Sequence, residues 1–224
     1  MMEMMQNVIR DVTSINLLYF VIMAALGYLI GSVNLSIILS KGKGKDIREM
    51  GSGNAGTTNT LRTMGKGAAA MVLLFDVLKG CLIPLVLILA AKEPWLPINY
   101  KTVYCMAYIY AFFAVTGHCF PLYYGFRGGK GIATAAGALL VISPAATGIA
   151  LVEFVLLMVL FRYVSLSSIV AVMNVVVFTA LLYPGEARLL VITLAIAILA
   201  IYKHRTNIVR LRNGEESTMF YKKK

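Results

Sequence analysis

The sequence predicts an all-α membrane protein of about seven transmembrane helices, some of them short. Hydrophobic residues make up 59% of the 224 residues and charged residues only 14%. The mean hydropathy is +0.80, and these values lie outside the range of soluble globular domains. Lys and Arg cluster in short segments between apolar runs, which is typical of membrane topology. No repeat or linker divides the chain, so we expect residues 1–224 to form a single integral-membrane domain.

Seven apolar runs account for the predicted helices. Most approach the roughly 17–25 residues that are needed to cross a bilayer. Pro144 disfavours helical geometry at Ser143, and therefore divides one long run into two short helices. Whether the first of these, which begins near Ile132, crosses the bilayer completely stays open. The runs cover residues 15–39, 68–91, 102–117, 132–143, 144–161, 166–183 and 189–201.

The distribution of cations predicts the orientation. With seven crossings, the segments 41–66, 127–130, 162 and 203–224 share one side and hold most of the 21 Lys and Arg residues. The positive-inside rule then places the N-terminus outside and the C-terminus in the cytoplasm. This topology explains the net charge of +11, so we expect no nucleic-acid partner. Four polar segments consequently meet at the cytoplasmic face of the predicted bundle.

The polar segment at residues 51–67 is rich in glycine and hydroxyl side chains. Its donors, including the Arg62 guanidinium, suit a phosphate or another oxyanion, although a flexible solvated loop is the simpler interpretation. The pattern Gly51-x-Gly53-x-x-Gly56 matches a dinucleotide-binding fingerprint, but no strand precedes it, so that function is rejected. The residues predicted to bind the anion are Ser52, Gly53, Asn54, Thr58, Asn59 and Arg62.

A second glycine-rich segment, Gly128-Gly129-Lys130-Gly131, precedes another predicted helix. Free amides, the positive end of that helix and the Lys130 ammonium predict a second anion site. Gly131 follows the lysine where a nucleotide-binding P-loop has Ser or Thr, so ATP hydrolysis is not expected. His118, in the same polar loop, is either a substrate-binding residue or a hydrogen-bonded histidine at the membrane interface.

Polar side chains near two later helix ends complete the candidate site. Ser165, Ser167 and Ser168 either cap the sixth apolar helix or direct a hydroxyl towards the shared cytoplasmic pocket. His204 and Asn207 lie three residues apart, so they share one helix face and are able to orient or deprotonate a hydroxyl. No Asp or Glu lies near His204 at a relay spacing, so a serine triad is not expected.

Asp76 and Lys79 lie in the middle of the second apolar run, where ionisable residues are costly and usually pair or line a cavity. Their spacing puts them on one helix face, so we expect a direct ion pair. The pair either orients the helix or supports a polar cavity. It would also suit a transporter of an organic phosphate, but no inverted repeat is present and the polar motifs gather at one face rather than at the midplane.

Together these motifs resemble the bacterial PlsY family of acyl-phosphate:glycerol-3-phosphate acyltransferases. The resemblance covers residues 31–216 and rests on segments that occur in order. They are Gly-Ser-Gly-Asn-x-Gly-Thr-Thr-Asn with Arg62, Asp76-x-x-Lys79-Gly80, His118-Cys-Phe-Pro, Phe126-Arg-Gly-Gly-Lys-Gly and His204-Arg-x-Asn-Ile-x-Arg-Leu-x-x-Gly-x-Glu216.

The resemblance implies an enzyme of the bacterial cell membrane with its active site facing the cytoplasm. It implies transfer of a fatty acyl group from acyl-phosphate to the 1-hydroxyl of sn-glycerol 3-phosphate, giving lysophosphatidic acid and orthophosphate in the first step of phospholipid synthesis. No metal, nucleotide or CoA is implied, and a soluble enzyme that forms acyl-phosphate is an implied functional partner. The implied catalytic residues are Ser52, Arg62, Lys130, His204 and Asn207, and Ser168 matches a pocket serine.

The residues agree with this reaction in one respect, because both substrates carry phosphate and two cationic glycine-rich loops are predicted at one membrane face. An acyl-phosphate is already activated, so the enzyme mainly aligns two anions and stabilises charge on the carbonyl oxygen and the leaving phosphate. We therefore hypothesise direct attack without an acyl-serine intermediate. His204 and a substrate phosphate oxygen are alternatives for the general base. A non-catalytic lipid-binding scaffold would leave the second loop unexplained, and which loop holds which phosphate stays open.

Overall fold

The computed structural model describes residues 2–93 and 98–219, and within these ranges every regular element is helical. The predicted all-α class is therefore confirmed. The α-helices are α1 (Met2–Ser32), α2 (Leu35–Lys41), α3 (Thr57–Met64), α4 (Lys66–Ala90), α5 (Tyr100–Cys119), α6 (Ile132–Ile142), α7 (Pro144–Phe161), α8 (Val164–Leu182), α9 (Ala187–Lys203) and α10 (Arg205–Arg212). Two short 3₁₀ turns occupy Ile47–Glu49 and Leu122–Tyr124.

A helix occupies each of the seven predicted apolar runs, with the break at Ser143 as expected. Within the described ranges, five helical segments are long and apolar enough to cross a membrane, or six if α9 and α10, which meet at a bend of 57°, form one span. Helix α6 has only 11 residues, about 16 Å of helix at 1.5 Å per residue, which is short of a bilayer core. The count of seven crossings and the orientation therefore stay predictions.

Glycines let the central helices approach at backbone distance. Helix α1 packs on α5, and α4 packs on both α5 and α6. A side chain at Gly31 would collide with the Ala114 carbonyl of α5, and a side chain at Gly137 of α6 would collide with the Val77 carbonyl of α4. Such close contacts replace the hydrophobic driving force that helices lack inside lipid.

The outward faces of the bundle carry large apolar side chains. Leu160, Leu181 and Val191 are all more than 60% exposed. On a soluble domain such a continuous apolar surface would be a liability, whereas in a bilayer it contacts lipid tails. Helix α7 is the most exposed of the candidate spans, with 17% of its apolar window buried.

The polar segments gather at one end of the bundle and are tied together there. Asn34, in the break between α1 and α2, donates from Nδ2 to the Ala55 carbonyl at 3.1 Å. Arg48 donates to the Tyr124 carbonyl at 2.6 Å, which joins the segment before α3 to the loop after α5. The Met219 amide donates to the Arg162 carbonyl at 2.9 Å and draws the C-terminal segment over the α7–α8 junction.

The glycine packing predicts different effects for two Gly→Ala replacements within helices. Gly31→Ala would force α1 away from α5, and overpacking of this kind costs about 1–3 kcal/mol. Gly148→Ala in α7 meets no atom within 4 Å, so only the helix preference for Ala, about 1 kcal/mol, applies. In detergent, we expect the apparent unfolding temperature to fall for Gly31→Ala and to stay level or rise for Gly148→Ala. Equal unfolding temperatures would contradict the packing.

Candidate active site

The first glycine-rich loop, residues 51–56, is shaped from within by Asn59. The Asn59 Oδ1 accepts from the Ser52 amide at 2.9 Å, and its Nδ2 donates to the Ile47 and Met50 carbonyls. Gly51 and Gly53 have positive φ angles of 58° and 71°, a conformation that glycine adopts without strain. Asn59 is thus buried as the organiser of the loop, whereas the Ser52 side chain is exposed.

The second glycine-rich loop lies directly on the end of α5. The Gly129 amide donates to the His118 carbonyl at 3.1 Å, and side chains at Gly128 or Gly129 would collide with backbone or side-chain atoms of His118. Gly131 has a φ of 80° at the start of α6. The three glycines pack closely against the end of α5, and Lys130, which has the only side chain in this four-residue loop, is half-buried.

The two loops and the start of α10 enclose one polar cavity of about 170 Å³. This volume is below the roughly 300–1,000 Å³ of pockets for drug-sized ligands and suits a small phosphate ester. Six of the predicted site residues line this cavity together, namely Ser52, Gly53, Asn54, Gly128, Lys130 and Asn207. The other lining residues, which are Lys203, Arg205, Thr206 and Arg210, were given no role in the predicted site, although Arg205 and Arg210 belong to the His204 motif.

The charge of the cavity wall is strongly positive. Four cations line it, and no carboxylate does so in the described part of the chain. Burial and the positive charges of Arg210, Arg62 and Lys203 together lower the pKa of Lys130 to about 8, against the opposing effect of Glu216. The ammonium is still the major form at neutral pH. A wall with an excess of cations beside glycine-rich loops is an anion-binding arrangement.

Glu216 fixes the α10 side of the cavity, although it was not among the predicted site residues. Its Oε1 accepts from Ser165 at 2.8 Å and from Asn207 at 2.7 Å, and its Oε2 accepts from Arg210 at 2.8 Å. Burial alone would raise the pKa of Glu216, but these hydrogen bonds lower it below its usual value. The carboxylate therefore stays ionised. Its place at the end of the His204 motif was the available sequence signal.

His204 and Asn207 adjoin the cavity from the bend between α9 and α10. The His204 Nδ1 lies 2.7 Å from the Ala200 carbonyl, and because a carbonyl only accepts, Nδ1 carries the proton. In the neutral ring the basic nitrogen is then Nε2. Asn207 donates to Glu216, while its Oδ1 is buried and has no hydrogen-bond partner among the described residues. That oxygen is able to accept from a substrate hydroxyl.

Eight other predicted site residues do not line the cavity. Arg62 donates to the Ser217 and Thr218 carbonyls at 3.2 and 3.5 Å, so the C-terminal segment covers its guanidinium. Ser168 donates to the Val164 carbonyl at 2.7 Å within α8. The remaining residues of this group are Thr58, Asn59, His118, Gly129, Gly131 and His204.

The Asp76–Lys79 ion pair that the spacing predicts is confirmed, with the Lys79 Nζ 2.7 Å from the Asp76 Oδ1. Both side chains are nearly inaccessible to solvent, and His118 joins them through its Nδ1. Among the residues that the structure describes, no three His, Cys, Asp or Glu side chains lie close enough together to hold a metal ion.

Comparisons with known proteins agree on one family. The sequence profile of the family described as glycerol-3-phosphate acyltransferase matches residues 21–214. A glycerol-3-phosphate acyltransferase of Clostridioides difficile (strain 630) is 41% identical over 208 residues, covering 91% of this chain and 97% of the relative. One of Staphylococcus carnosus (strain TM300) is 39% identical over 197 residues, covering 88% and 96%.

Solved structures add the fold to this agreement. The crystal structure of PlsY, an integral membrane glycerol 3-phosphate acyltransferase, in its glycerol 3-phosphate form superimposes with a TM-score of 0.77 at 32% identity and covers 89% of this chain and 94% of that chain. Its lysophosphatidic acid form gives a TM-score of 0.74. The predicted resemblance is confirmed: this chain belongs to the glycerol-3-phosphate acyltransferase family of multi-pass membrane proteins.

Proposed function

We propose that this acyltransferase takes its acyl group from acyl-phosphate and transfers it to the 1-hydroxyl of sn-glycerol 3-phosphate, giving lysophosphatidic acid and orthophosphate. The observation that carries the proposal is the cavity with four lining cations, no lining carboxylate among the described residues, and two glycine-rich loops. Both substrates carry a phosphate group that is negatively charged at neutral pH, so both suit this cationic cavity. The glycerol 3-phosphate and lysophosphatidic acid forms of the related crystal structures support the acceptor and the product.

The proposed reaction is a direct acyl transfer. The 1-hydroxyl oxygen attacks the acyl carbonyl carbon, the bond from that carbon to the phosphate oxygen breaks, and orthophosphate leaves. The hydroxyl proton passes either to the His204 Nε2 or to a phosphate oxygen of the substrate. Ser52 and Lys130 stabilise the charge that develops on the carbonyl oxygen and on the leaving phosphate, because both face the cavity. Asn207 orients the hydroxyl through its free Oδ1.

Arg62 is proposed to bind a substrate phosphate after its carbonyl contacts are exchanged. The Ser217 and Thr218 carbonyls are neutral acceptors at 3.2 and 3.5 Å, and its Nε is buried without a partner in the described part of the chain. A phosphate offers a stronger, bidentate and charge-assisted contact. We propose that the amides of Asn54, Gly128 and Gly131 bind phosphate oxygens, whereas those of Gly53 and Gly129 already donate to the Met50 and His118 carbonyls.

The setting of the enzyme is part of the proposal. The whole of residues 1–224 acts as one integral-membrane domain in the bacterial cell membrane, with the cavity facing the cytoplasm, where glycerol 3-phosphate is dissolved. A soluble enzyme supplies acyl-phosphate to the bilayer. Transport of an organic phosphate is not favoured, because Asp76 and Lys79 satisfy each other instead of lining an open path.

One assay tests the proposal. Purified protein in detergent or lipidic mesophase receives acyl-phosphate with and without glycerol 3-phosphate, and orthophosphate and lysophosphatidic acid are both measured. We expect equimolar products that require both substrates. Lys130→Ala should lower turnover at least about a hundredfold by loss of transition-state charge stabilisation, whereas Lys43→Ala, an exposed lysine of the loop after α2, should retain it. Orthophosphate release without the acceptor, or normal turnover of Lys130→Ala, would contradict the proposal.

The pKa of about 8 for Lys130 predicts the alkaline limb of the pH profile. A lysine is charged below its pKa, so kcat/KM should fall as the pH rises through about 8. Bound phosphate favours the ammonium, so the fall in kcat should lie at higher pH. Lys130→Arg keeps its charge up to at least about pH 12 and should lose this limb even if its activity is lower. An unchanged limb in Lys130→Arg would show that another group titrates.

Direct attack predicts that no acyl-enzyme forms. Enzyme is mixed with excess radiolabelled acyl-phosphate in the absence of glycerol 3-phosphate, quenched in acid and separated from lipid. We expect less than stoichiometric protein-bound label and no early burst of orthophosphate, because Ser52 acts as a hydrogen-bond donor. One label per protein, lost in Ser52→Ala, would establish a covalent route instead.

A further inference from the structure

A buried polar network lies beneath the second glycine-rich loop. Its members are Asp76 and Lys79 of α4 and His118 of α5, each less than 5% exposed. The Lys79 ammonium lies 2.7 Å from the Asp76 Oδ1, 2.9 Å from the Val33 carbonyl and 2.9 Å from the His118 Nδ1. Lys79 thus forms an ion pair with Asp76 and hydrogen bonds with Val33 and His118.

The hydrogen-bond roles in this network fix the state of His118. The ammonium has no lone pair and can only donate, so the His118 Nδ1 accepts from it. The neutral ring then carries its proton on Nε2. Asp76 lies 3.3 Å from the same Nδ1 and balances the charge of Lys79. The Nε2–H edge of the ring is the part of the network that faces outward from the ion pair.

That edge of His118 lies against the backbone of the catalytic loop. A Cβ built on Gly129 would collide with the His118 Nε2 and lie 2.7 Å from the Ala55 carbonyl. The Gly129 amide also donates to the His118 carbonyl. The imidazole therefore packs directly against the backbone of Gly129, the residue before Lys130.

The other side of the network supports the first glycine-rich loop. Lys79 binds the Val33 carbonyl at the end of α1, where a cation complements the negative end of the helix dipole. The next residue, Asn34, donates to the Ala55 carbonyl of the first loop. The network thus contacts the second loop directly at Gly129 and is linked to the first loop through Val33 and Asn34.

Stability alone does not account for placing these charges in an apolar helix. Well-packed apolar residues of similar volume often stabilise a protein as well as a buried ion pair does, because desolvation offsets the Coulombic gain. Intramembrane ionisable residues commonly serve a site. The remainder of this α4 face is apolar and packs closely against α6 through Gly80, where a Cβ would collide with the Thr134 carbonyl.

We propose that Asp76, Lys79 and His118 are positioning residues for acyl transfer, which hold the backbone at Gly129 so that the Lys130 ammonium faces the cavity. This rests on the proposed function of Lys130. The three residues touch no substrate, and they act through the two loops. His118, predicted from the sequence to bind substrate, acts in this proposal from beneath the loop.

The test replaces His118 and measures kcat/KM in both the wild-type and Lys130→Arg backgrounds. His118→Phe keeps a ring of similar size but removes the acceptor for Lys79. We expect it to lower kcat/KM at least about tenfold, as expected for a misplaced catalytic group. In Lys130→Arg, the same replacement should lower kcat/KM much less, because coupled residues are not additive. His118→Asn, whose amide oxygen reaches the position of Nδ1, should restore part of the loss.

Asn174→Ala is the matched control. Asn174 of α8 donates to Glu153 of α7 at 2.6 Å, so its replacement also removes an intramembrane hydrogen bond, but one outside the site. We expect little change in kcat/KM and no coupling to Lys130→Arg. Full activity of His118→Phe, or losses that multiply with Lys130→Arg, would overturn the positioning role.

Hydrogen exchange separates this inference from the proposed function. If the unaltered protein shows no transfer from acyl-phosphate, the proposed function fails. The network is then tested by amide exchange, with faster exchange in His118→Phe expected at residues 126–131 and unchanged exchange in α8. Unchanged exchange at 126–131, or equally faster exchange throughout the helices, would overturn the inference in either case.

Discussion

The charge balance of the cavity is the constraint on which the rest of the structure depends. Lys130, Lys203 and Arg210 converge on a space lined by no carboxylate of the described residues, and the nearby Glu216 is already bonded to Arg210, Asn207 and Ser165. Cations that line one small cavity repel each other, so each needs a contact that holds it in place. Lys203 donates to the Cys119 carbonyl at 2.8 Å and lies over the Phe120 ring. Within the described part of the chain, Glu216 pairs with Arg210 alone, and we propose that the phosphates of the substrates balance the remaining positive charge.

The apolar helices supply the rigidity that this arrangement requires. A membrane interior tolerates irregular backbone only where protein or a polar cavity satisfies its polar groups. The glycine loops meet this condition at the helix ends, where Asn34, Asn59 and the His118 carbonyl bind their amides and carbonyls. Close helix contacts at Gly31 and Gly137 hold those ends at fixed spacing. In our account, preorganisation of donors around the phosphates contributes most to catalysis, since acyl-phosphate already has a good leaving group.

Hydropathy and spacing predicted the class, the helix in every apolar run, the Asp76–Lys79 pair and the meeting of the two glycine loops. The class and the helices follow from local composition, and the ion pair follows from the spacing of two residues on one helix face. The sequence placed Lys203 in a cationic cytoplasmic segment and Arg210 in the His204 motif but gave neither a role in the site, because one-dimensional spacing does not show the 57° bend between α9 and α10 beside which both line the cavity. Glu216 accepts hydrogen bonds from Asn207 and Arg210 of α10 and from Ser165 of α8, which lies 51 residues earlier in the chain. A contact between residues so far apart in sequence leaves no periodic signal. The contact of Arg62 with the C-terminal segment was missed for the same reason.

The central claim is that the two loops and α10 form one anion site. The most direct measurement is an experimental structure of this chain with glycerol 3-phosphate in a lipidic mesophase. Our account predicts that the phosphate lies in the cavity, within hydrogen-bond distance of the Lys130 ammonium and of at least one amide of residues 52–54, with the 1-hydroxyl directed towards Asn207. A phosphate bound at another basic surface, such as residues 41–45, with this cavity left without an anion, would contradict it.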